Sequence, residues 1–438
     1  MGHDPHGAPT PFSPPGSDAV AVYRGVTLLD GTGGPARAGT TIVVEGSLLR
    51  TVAPDAEVPD IPGAEVFDLA GRFVVPGLID SHQHIATPPD RALAESVLRR
   101  HVYSGITAIR DMADDLRQVG DLARATRVGE IPGPDIHYAA LMAGPGFFDD
   151  PRTWQVSQGE IPGTVPWMQA VDERTDLPIA VALARGTHAT AIKVYADLPA
   201  ATVAAITAEA HRQGIRVWAH GAVFPARPSE VVAAGVDAVS HVTLLVHEAA
   251  GRPLTSYKDK PPIDWDRFAA GDDATMEALF AAMLERGTVL DATAGMWVWM
   301  EQQAEDAEGR DRARHNNALS ARLTAQAHRV GVPISTGTDY ETDPEQPYPA
   351  LFDEMAYLVR QCGIPAAEVI RSATLVGAMS MGAESAMGTV ESGKLANFAV
   401  LAADPLVDMA NLRSVECTVK RGRRYERTDY DAKGTADR

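Results

Sequence analysis

The sequence predicts an α/β fold, and three features carry that expectation. Strand-like runs alternate with helical segments through the middle of the chain. Short pieces rich in β-branched residues, punctuated by turns, occupy both ends. No G-x-G-x-x-G follows the first strand of the alternating region, so nothing there favours a dinucleotide fold. Eight strands alternating with helices over about 300 residues are what a (β/α)8 barrel requires, with its chemistry where the strands end. A doubly wound open sheet gives the same alternation, and periodicity alone does not separate the two.

The elements follow in order. Residues 1–18 hold five prolines and no apolar run, and read as a disordered tail. The stretches 20–23, 26–29, 41–44, 48–52 and 65–69 read as strands, with Asp30-Gly31 and Gly33-Gly34-Pro35 as turns between some of them. The same texture returns at 398–401 and 415–420, followed by the turn Arg421-Gly422-Arg423. Two β-rich ends flanking a long middle predict one accessory domain built from residues 19–75 and 387–428.

In the middle, residues 76–386, strands are expected at 73–79, 106–110, 135–141, 191–195, 216–220, 238–241, 288–292 and 333–336. A helix over 90–104 places Leu93, Val97, Leu98 and Val102 on one face, with Gly105 behind it. Another over 199–213 has Pro199 in its first turn, Val203, Ile206 and Ala210 at helical spacing, and Gly214 after its end. A third over 275–286 repeats the pattern through Met276, Leu279, Phe280, Met283 and Leu284, with Gly287 following.

Among the 438 residues, 58 acidic against 39 basic side chains give a formal charge of −19. That balance repels polyphosphate backbones and anionic lipid head groups, so neither nucleic acid nor a membrane surface is an expected partner. No run approaches the ~20 apolar residues of a membrane-spanning helix, and the start has no apolar leader core, which predicts a cytoplasmic protein. Cys362 and Cys417 stand far apart and outside any C-x-x-C spacing. Any metal is then held by nitrogen and oxygen.

Those donors stand at the expected strand ends. Val74-Val75-Pro76-Gly77-Leu78-Ile79-Asp80-Ser81-His82-Gln83-His84 carries two histidines two apart, and residues i and i+2 of an extended segment share a face. Lys193 lies within Ala191-Ile192-Lys193-Val194-Tyr195, where an ammonium among apolar neighbours is costly unless paired or neutralised. Its ordinary alternatives are a substrate carboxylate or an ion pair with Asp197. His220 ends Val217-Trp218-Ala219-His220, His241 ends Ala238-Val239-Ser240-His241, and Asp339 closes Ile334-Ser335-Thr336-Gly337-Thr338-Asp339, where it could instead cap a helix. Imidazole and carboxylate suit zinc first, with manganese, cobalt and iron open. Tyr195, Trp297 and Trp299 are weaker candidates for contacts with substrate, and the long connections 145–178 and 242–264 for lids. His137 and His247 are the other histidines placed where a strand or loop could bring them near the pocket.

From about residue 20 to 423 the sequence resembles the amidohydrolase superfamily, and more narrowly its imidazolonepropionase-like and prolidase-like branch. The residues that carry the resemblance are Val75-Pro76-Gly77-Leu78-Ile79-Asp80-Ser81-His82-Gln83-His84, Gly337-Thr338-Asp339, and Gly388-Thr389-Val390-Glu391-Ser392-Gly393-Lys394-Leu395-Ala396-Asn397. The resemblance implies a (β/α)8 TIM barrel inserted in a composite β-sandwich. It implies His82, His84 and Asp339 on one divalent ion, His220 and His241 on a second, and a carboxylated Lys193 bridging both. The activity it implies is hydrolysis of an amide bond in a small molecule such as a dipeptide or N-acyl amino acid. Metal-activated hydroxide would attack, and Asp339 would carry the proton to the leaving nitrogen. Opening of a cyclic amide or lactone, or decarboxylation, is the alternative on the same scaffold, and a non-catalytic interaction protein the remote one. Self-association into a homo-oligomer is also implied. Two departures stand out. Asn397 replaces the usual aspartate, and Ala143-Gly144-Pro145-Gly146-Phe147-Phe148 stands where many relatives place glycine-glycine-histidine.

Overall fold

The computed structural model describes residues 19–431 apart from residue 344, so the tail expected at 1–18 lies outside the described residues. Strand β1 (Val20–Leu28) joins the two pieces expected at 20–23 and 26–29. Its pairing with β2 (Arg37–Glu45) shifts register between Tyr23 and Val26, around Gly25 at φ +76. Glycine at a bulge tolerates that φ, and the chain continues as one strand. β3 (Leu48–Pro54) pairs with β2, while β4 (Glu65–Asp68) and β5 (Phe73–Pro76) both run parallel to β1, one on each side of the bulge.

The run expected as one barrel strand over 73–79 is two. β5 belongs to the terminal sheet, and β6 (Leu78–Gln83) is the first strand of the barrel. Between them, the Gly77 N–H donates to the Asn397 carbonyl at 2.9 Å, and a Cβ on Gly77 would lie 2.0 Å from Thr107 Oγ1. Only glycine fits where the chain crosses from one sheet to the other. A continuous apolar run conceals this break, although Pro76-Gly77 marks it.

The barrel strands continue as β7 (Ile106–Asp111) and β8 (Asp135–Ala143). A short hairpin, β9 (Thr164–Val165) and β10 (Met168–Ala170), then lies beside the end of β8. After it come β11 (Ala191–Val194), β12 (Arg216–His220), β13 (Ala238–Ser240), β14 (Val289–Asp291) and β15 (Ile334–Ser335). Leaving out the hairpin, eight strands pair in parallel in chain order from β6 to β15. The ring closes where the Ser81 N–H donates to the Thr336 carbonyl at 2.7 Å and Thr336 Oγ1 donates to the Ile79 carbonyl at 3.0 Å.

Helices α1 (Arg91–Tyr103), α2 (Leu116–Val128), α3 (Pro151–Val156), α4 (Leu177–Gly186), α5 (Ala200–Arg212), α6 (Pro228–Ala233), α7 (Trp265–Ala269) and α8 (Ala274–Arg286) fill the connections as far as β14. α9 (Met296–Gln303) and α10 (Ala307–Val330) lead to β15, and α11 (Leu351–Arg360) follows it. Aspartate side chains cap the expected helices: Asp90 accepts the Leu93 N–H, and Asp273 accepts those of Thr275 and Met276. Pro199 stands just before α5 rather than inside its first turn. Leu93 and Leu284, expected on buried faces, are exposed, because the apolar stripe of each helix is centred on Leu98 and on Leu279 with Phe280.

The chain then returns to the terminal sheet. β16 (Phe398–Leu401) pairs with β5, β17 (Val415–Lys420) with β16, and β18 (Arg423–Glu426) with β17. The last strand was not expected from sequence; its two adjacent arginines and short length hide it. The expected composite β domain is therefore one eight-stranded sheet, closed around Tyr23, Ile42, Leu49, Val74, Phe398 and Val419. Both cysteines are buried and free. No helix among the described residues is long and apolar enough to cross a membrane.

Asp135, at the start of β8, fastens this sheet to the barrel. Its carboxylate pairs with Lys420 at 2.9 Å and Arg421 at 2.8 Å, and all three side chains are buried. Burial alone would raise the Asp135 carboxyl, yet the two cations hold it well below the usual carboxylate range. A depressed native pKa gives stability that is present above the unfolded value of about 4 and is lost as the pH falls. Asp135→Asn leaves the buried Lys420 ammonium without its counter-charge, and is expected to cost about 3–5 kcal/mol. Chemical denaturation at pH 7 checks the loss, and the variant's midpoint should also be flatter below pH ~4 than that of the parent.

Candidate metal centre

Strand period and barrel closure bring the six expected donors to one end of the barrel. His82 lies near the end of β6 and His84 just beyond it, with ring centroids 5.5 Å apart. Asp339 follows β15 in the left-handed region at φ +60, its N–H donating to the His82 carbonyl at 2.9 Å. Its Oδ1 is 3.4 Å from Nε2 of both histidines, and one donor atom from each of the three lies within 4.8 Å of the others. No helix begins at Asp339, so the capping alternative has no helix to cap. His241, after β13 at φ +70, stands 4.8 Å from the His82 ring and 4.9 Å from the His220 ring. Lys193, third in β11, is buried with Nζ 3.4 Å from Ser240 Oγ. Non-glycine residues at positive φ cost about 1–3 kcal/mol, and here two of them are donor residues.

Behind the donors stands a set of anchors. The His82 Nδ1–H donates to Asp291 Oδ2 at 2.7 Å and the His84 Nδ1–H to Asp114 Oδ1 at 2.8 Å. Thr293 Oγ1 donates to the Ala292 carbonyl at 2.9 Å, so it accepts from His241 Nδ1 at 3.0 Å. For the neutral imidazoles of His82 and His241 these anchors place the proton on Nδ1 and leave Nε2 its lone pair, the tautomer a metal ligand needs. His220 differs: its Nδ1 accepts the Ala222 N–H at 3.1 Å. Asp291 also accepts from Arg110 Nη2 at 3.0 Å and Ser240 Oγ at 2.9 Å, and a Cβ on Gly337 would lie 2.0 Å from its Oδ1. Sequence reasoning missed Asp291, Asp114, Thr293 and Arg110. Asp291 stands at the end of an expected strand, the one signal that could have flagged it.

The donors open on a cavity of about 310 Å³, walled by Phe147, Tyr195, Met112, Leu141 and Met168 among others. Tyr195 stacks on His220 with centroids 4.3 Å apart. Phe147 belongs to the segment that replaces glycine-glycine-histidine, and Gly144 within it passes so close to Asp197 that a Cβ would lie 2.0 Å from the Asp197 carbonyl oxygen. The first long connection lines this space through Phe147 and Met168, while Tyr257 of the second stands behind it, 5.6 Å from the His220 ring. Trp297 and Trp299 do not line the cavity. Glu354 accepts the Ala294 and Gly295 N–H groups at 2.9 and 2.6 Å, fixing the start of α9, and Trp299 then stacks on Tyr340 in a separate groove with Tyr348 and Arg413. His247 packs against Phe224, and His137 faces a third cavity beside Asp135 and Arg421.

A sequence profile of the amidohydrolase family matches residues 73–425. The chain belongs to the amidohydrolase family. It is a hydrolase of carbon–nitrogen bonds. An imidazolonepropionase of Hyphomonas neptunium is 25% identical over 378 residues, covering 82% of this amidohydrolase and 85% of that protein. An N-acyl-D-aspartate deacylase of Alcaligenes xylosoxydans xylosoxydans is 36% identical over 93 residues, which are 21% of this chain and only 17% of that relative's length. The crystal structure of a Xaa-Pro dipeptidase with bound methionine in the active site superposes with a TM-score of 0.74 at 22% identity, covering 93% of this chain and 100% of that one, a likeness of fold.

Amidohydrolases are metal-dependent, and the electrostatics of this one fit a divalent ion. Burial pulls His82, His220 and His241 well below the ordinary imidazole range, so they are neutral at pH 7. Burial opposes protonation of His84 as well, but Asp114 and Asp339 lift it to about 9. Burial raises the Asp339 carboxyl to about 6 against the pull of His84 and Lys193. A bound cation reverses both of these last shifts. Burial also drives the Lys193 amine down to about 7, and no ion pair with it occurs among the described residues. Asp197, the alternative partner, instead accepts the Tyr257 N–H at 2.9 Å.

Proposed function

We propose that this amidohydrolase cleaves the amide bond of a small molecule, such as a dipeptide or an N-acyl amino acid, at a centre of two divalent ions, zinc first. The observation that carries the reading is the convergence of His82, His84 and Asp339 in the wall of one cavity, both imidazoles anchored at Nδ1 and both Nε2 atoms 3.4 Å from Asp339 Oδ1. His82, His84 and Asp339 would hold one ion, and His220 and His241 the other. When bound, such ions lower the pKa of water to near neutrality and polarise a carbonyl.

The chain supplies the rest. Asp339 Oδ takes the proton of the attacking water and returns it to the leaving nitrogen. Phe147 and Tyr195 exclude bulk water and give the acyl or amine portion an apolar bed. Lys193, once carboxylated, would supply an anionic donor to the centre. Asp291 accepts from Arg110 and from His82, and among the described residues no carboxylate pairs directly with the buried Lys193 amine. A neutral amine there adds to carbon dioxide, forming an N–C bond and releasing a proton, and a carbamate replaces a costly cation with an anion facing both sets of donors. The test is release of primary amine from a panel of dipeptides and N-acyl amino acids by zinc-loaded protein. Opening of cyclic amides or lactones, with every linear amide left intact, would replace this reading.

A further inference from the structure

Arg152, the second residue of α3, stands in the wall of the same cavity, and the chemistry above gives it no task. Its guanidinium is held from one side only. Asp150 accepts from Nε at 3.0 Å and from Nη2 at 2.8 Å, and Nη2 also points at Tyr257 Oη at 3.5 Å. The same Asp150 carboxylate accepts the Arg152 N–H as the cap of α3, so it is fully engaged. Nη1 has no protein partner among the described residues, which leaves its two N–H donors available on a side chain that lines the cavity and is about half exposed.

Tyr257 brings a second cation to this place: Lys260 Nζ lies 4.1 Å from its ring centroid. On a chain with a net charge of −19, two cations meeting on one ring beside a catalytic cavity run against the average field. That ring is also one step from the donors, 5.6 Å from His220 and 5.7 Å from Tyr195. A single aromatic side chain thus separates the free edge of a pre-ordered arginine from the metal centre. In an N-acyl amino acid or dipeptide the free carboxylate is separated from the scissile amide nitrogen by a single carbon, so it enters the cavity together with the scissile bond.

We infer that Arg152, through Nη1 and with Lys260 beside it, receives a free carboxylate of the substrate, so the preferred substrates are amides bearing that carboxylate rather than their neutral counterparts. The inference rests on the amide-hydrolase reading above. A charge-assisted hydrogen bond pair to a carboxylate corresponds to about 10- to 100-fold in affinity.

The test compares N-acetylmethionine and related apolar N-acyl amino acids as free acids and as methyl esters, with zinc-loaded parent and Arg152→Met. The parent is expected to favour the acids by about 10- to 100-fold in kcat/KM, carried by KM, and the variant to bring that ratio close to one. A second arm reads binding of the same acid and ester by calorimetry to Asp339→Asn, with and without Arg152→Met, and expects the same collapse. Equal use of acid and ester by the parent overturns the inference. So does a variant that weakens both alike with an unchanged ratio, the behaviour of a latch between the α3 segment and the Tyr257 loop. If no acid or ester is turned over at all, the amide-hydrolase reading falls, while the calorimetric arm still decides for or against the carboxylate site.

Discussion

Asp339→Asn is expected to lower kcat by about 10²- to 10⁴-fold while leaving the fold and the thermal midpoint within a few degrees of the parent. The backbone at this position is fixed by the donation of its N–H to the His82 carbonyl at 2.9 Å, which asparagine keeps. Asparagine also tolerates φ +60 as well as aspartate does. What it loses is a carboxylate able to take up a proton. Since Oδ1 sits 3.4 Å from two imidazole nitrogens, it also loses one anionic donor to an ion. The two effects separate in measurement. A variant that retains at least the metal bound by the four histidines yet fails in single-turnover assays has lost the proton carrier. A variant whose activity returns at saturating metal has lost only a ligand. Near-native turnover at native metal content would remove Asp339 from the proton-transfer role.

Much of this site was legible because its donors sit where period-2 strands end. His82 and His84 share a face by spacing alone, His220 and His241 close runs whose apolar character marks them as buried strands, and Asp339 follows the short β-rich run that opens with Ile334. The anchors were not legible. Asp291 ends Val289-Leu290-Asp291, and its partners Arg110, Ser240 and His82 come from three other strands, so only the closed barrel makes it an anchor. Arg110 reads as a residue leaving a strand, yet it is buried across the barrel against Trp218 at 4.6 Å. The split at Gly77 was masked because an apolar run looks the same whether one sheet or two receive it. Trp297 and Trp299 show the opposite error. Aromatic residues after a strand suggested a pocket, but the Glu354 clamp on Ala294 and Gly295 sends α9 toward Tyr340 instead.

Lys193→Ala is expected to reduce bound metal from near two equivalents to one or fewer, and activity by about a thousandfold or more, the scale of several kcal/mol of electrostatic stabilisation. The fold should tolerate the change. Lys193 contributes one long contact to Ser240, and removing a buried amine relieves a desolvation cost that opposes the lost packing of its methylenes. A stable but metal-poor variant therefore separates a bridging role from a structural one. If the bridge is a carbamate, a small carboxylate such as propionate added to Lys193→Ala should restore part of both metal and activity, because it returns an anion to a space that now has room for it. Reconstituting the parent under carbon-dioxide depletion should likewise give poorly active protein that recovers on addition of bicarbonate. One equivalent in parent and variant alike, with no response to carbon dioxide, would assign the catalytic role to a single ion held by His82, His84 and Asp339.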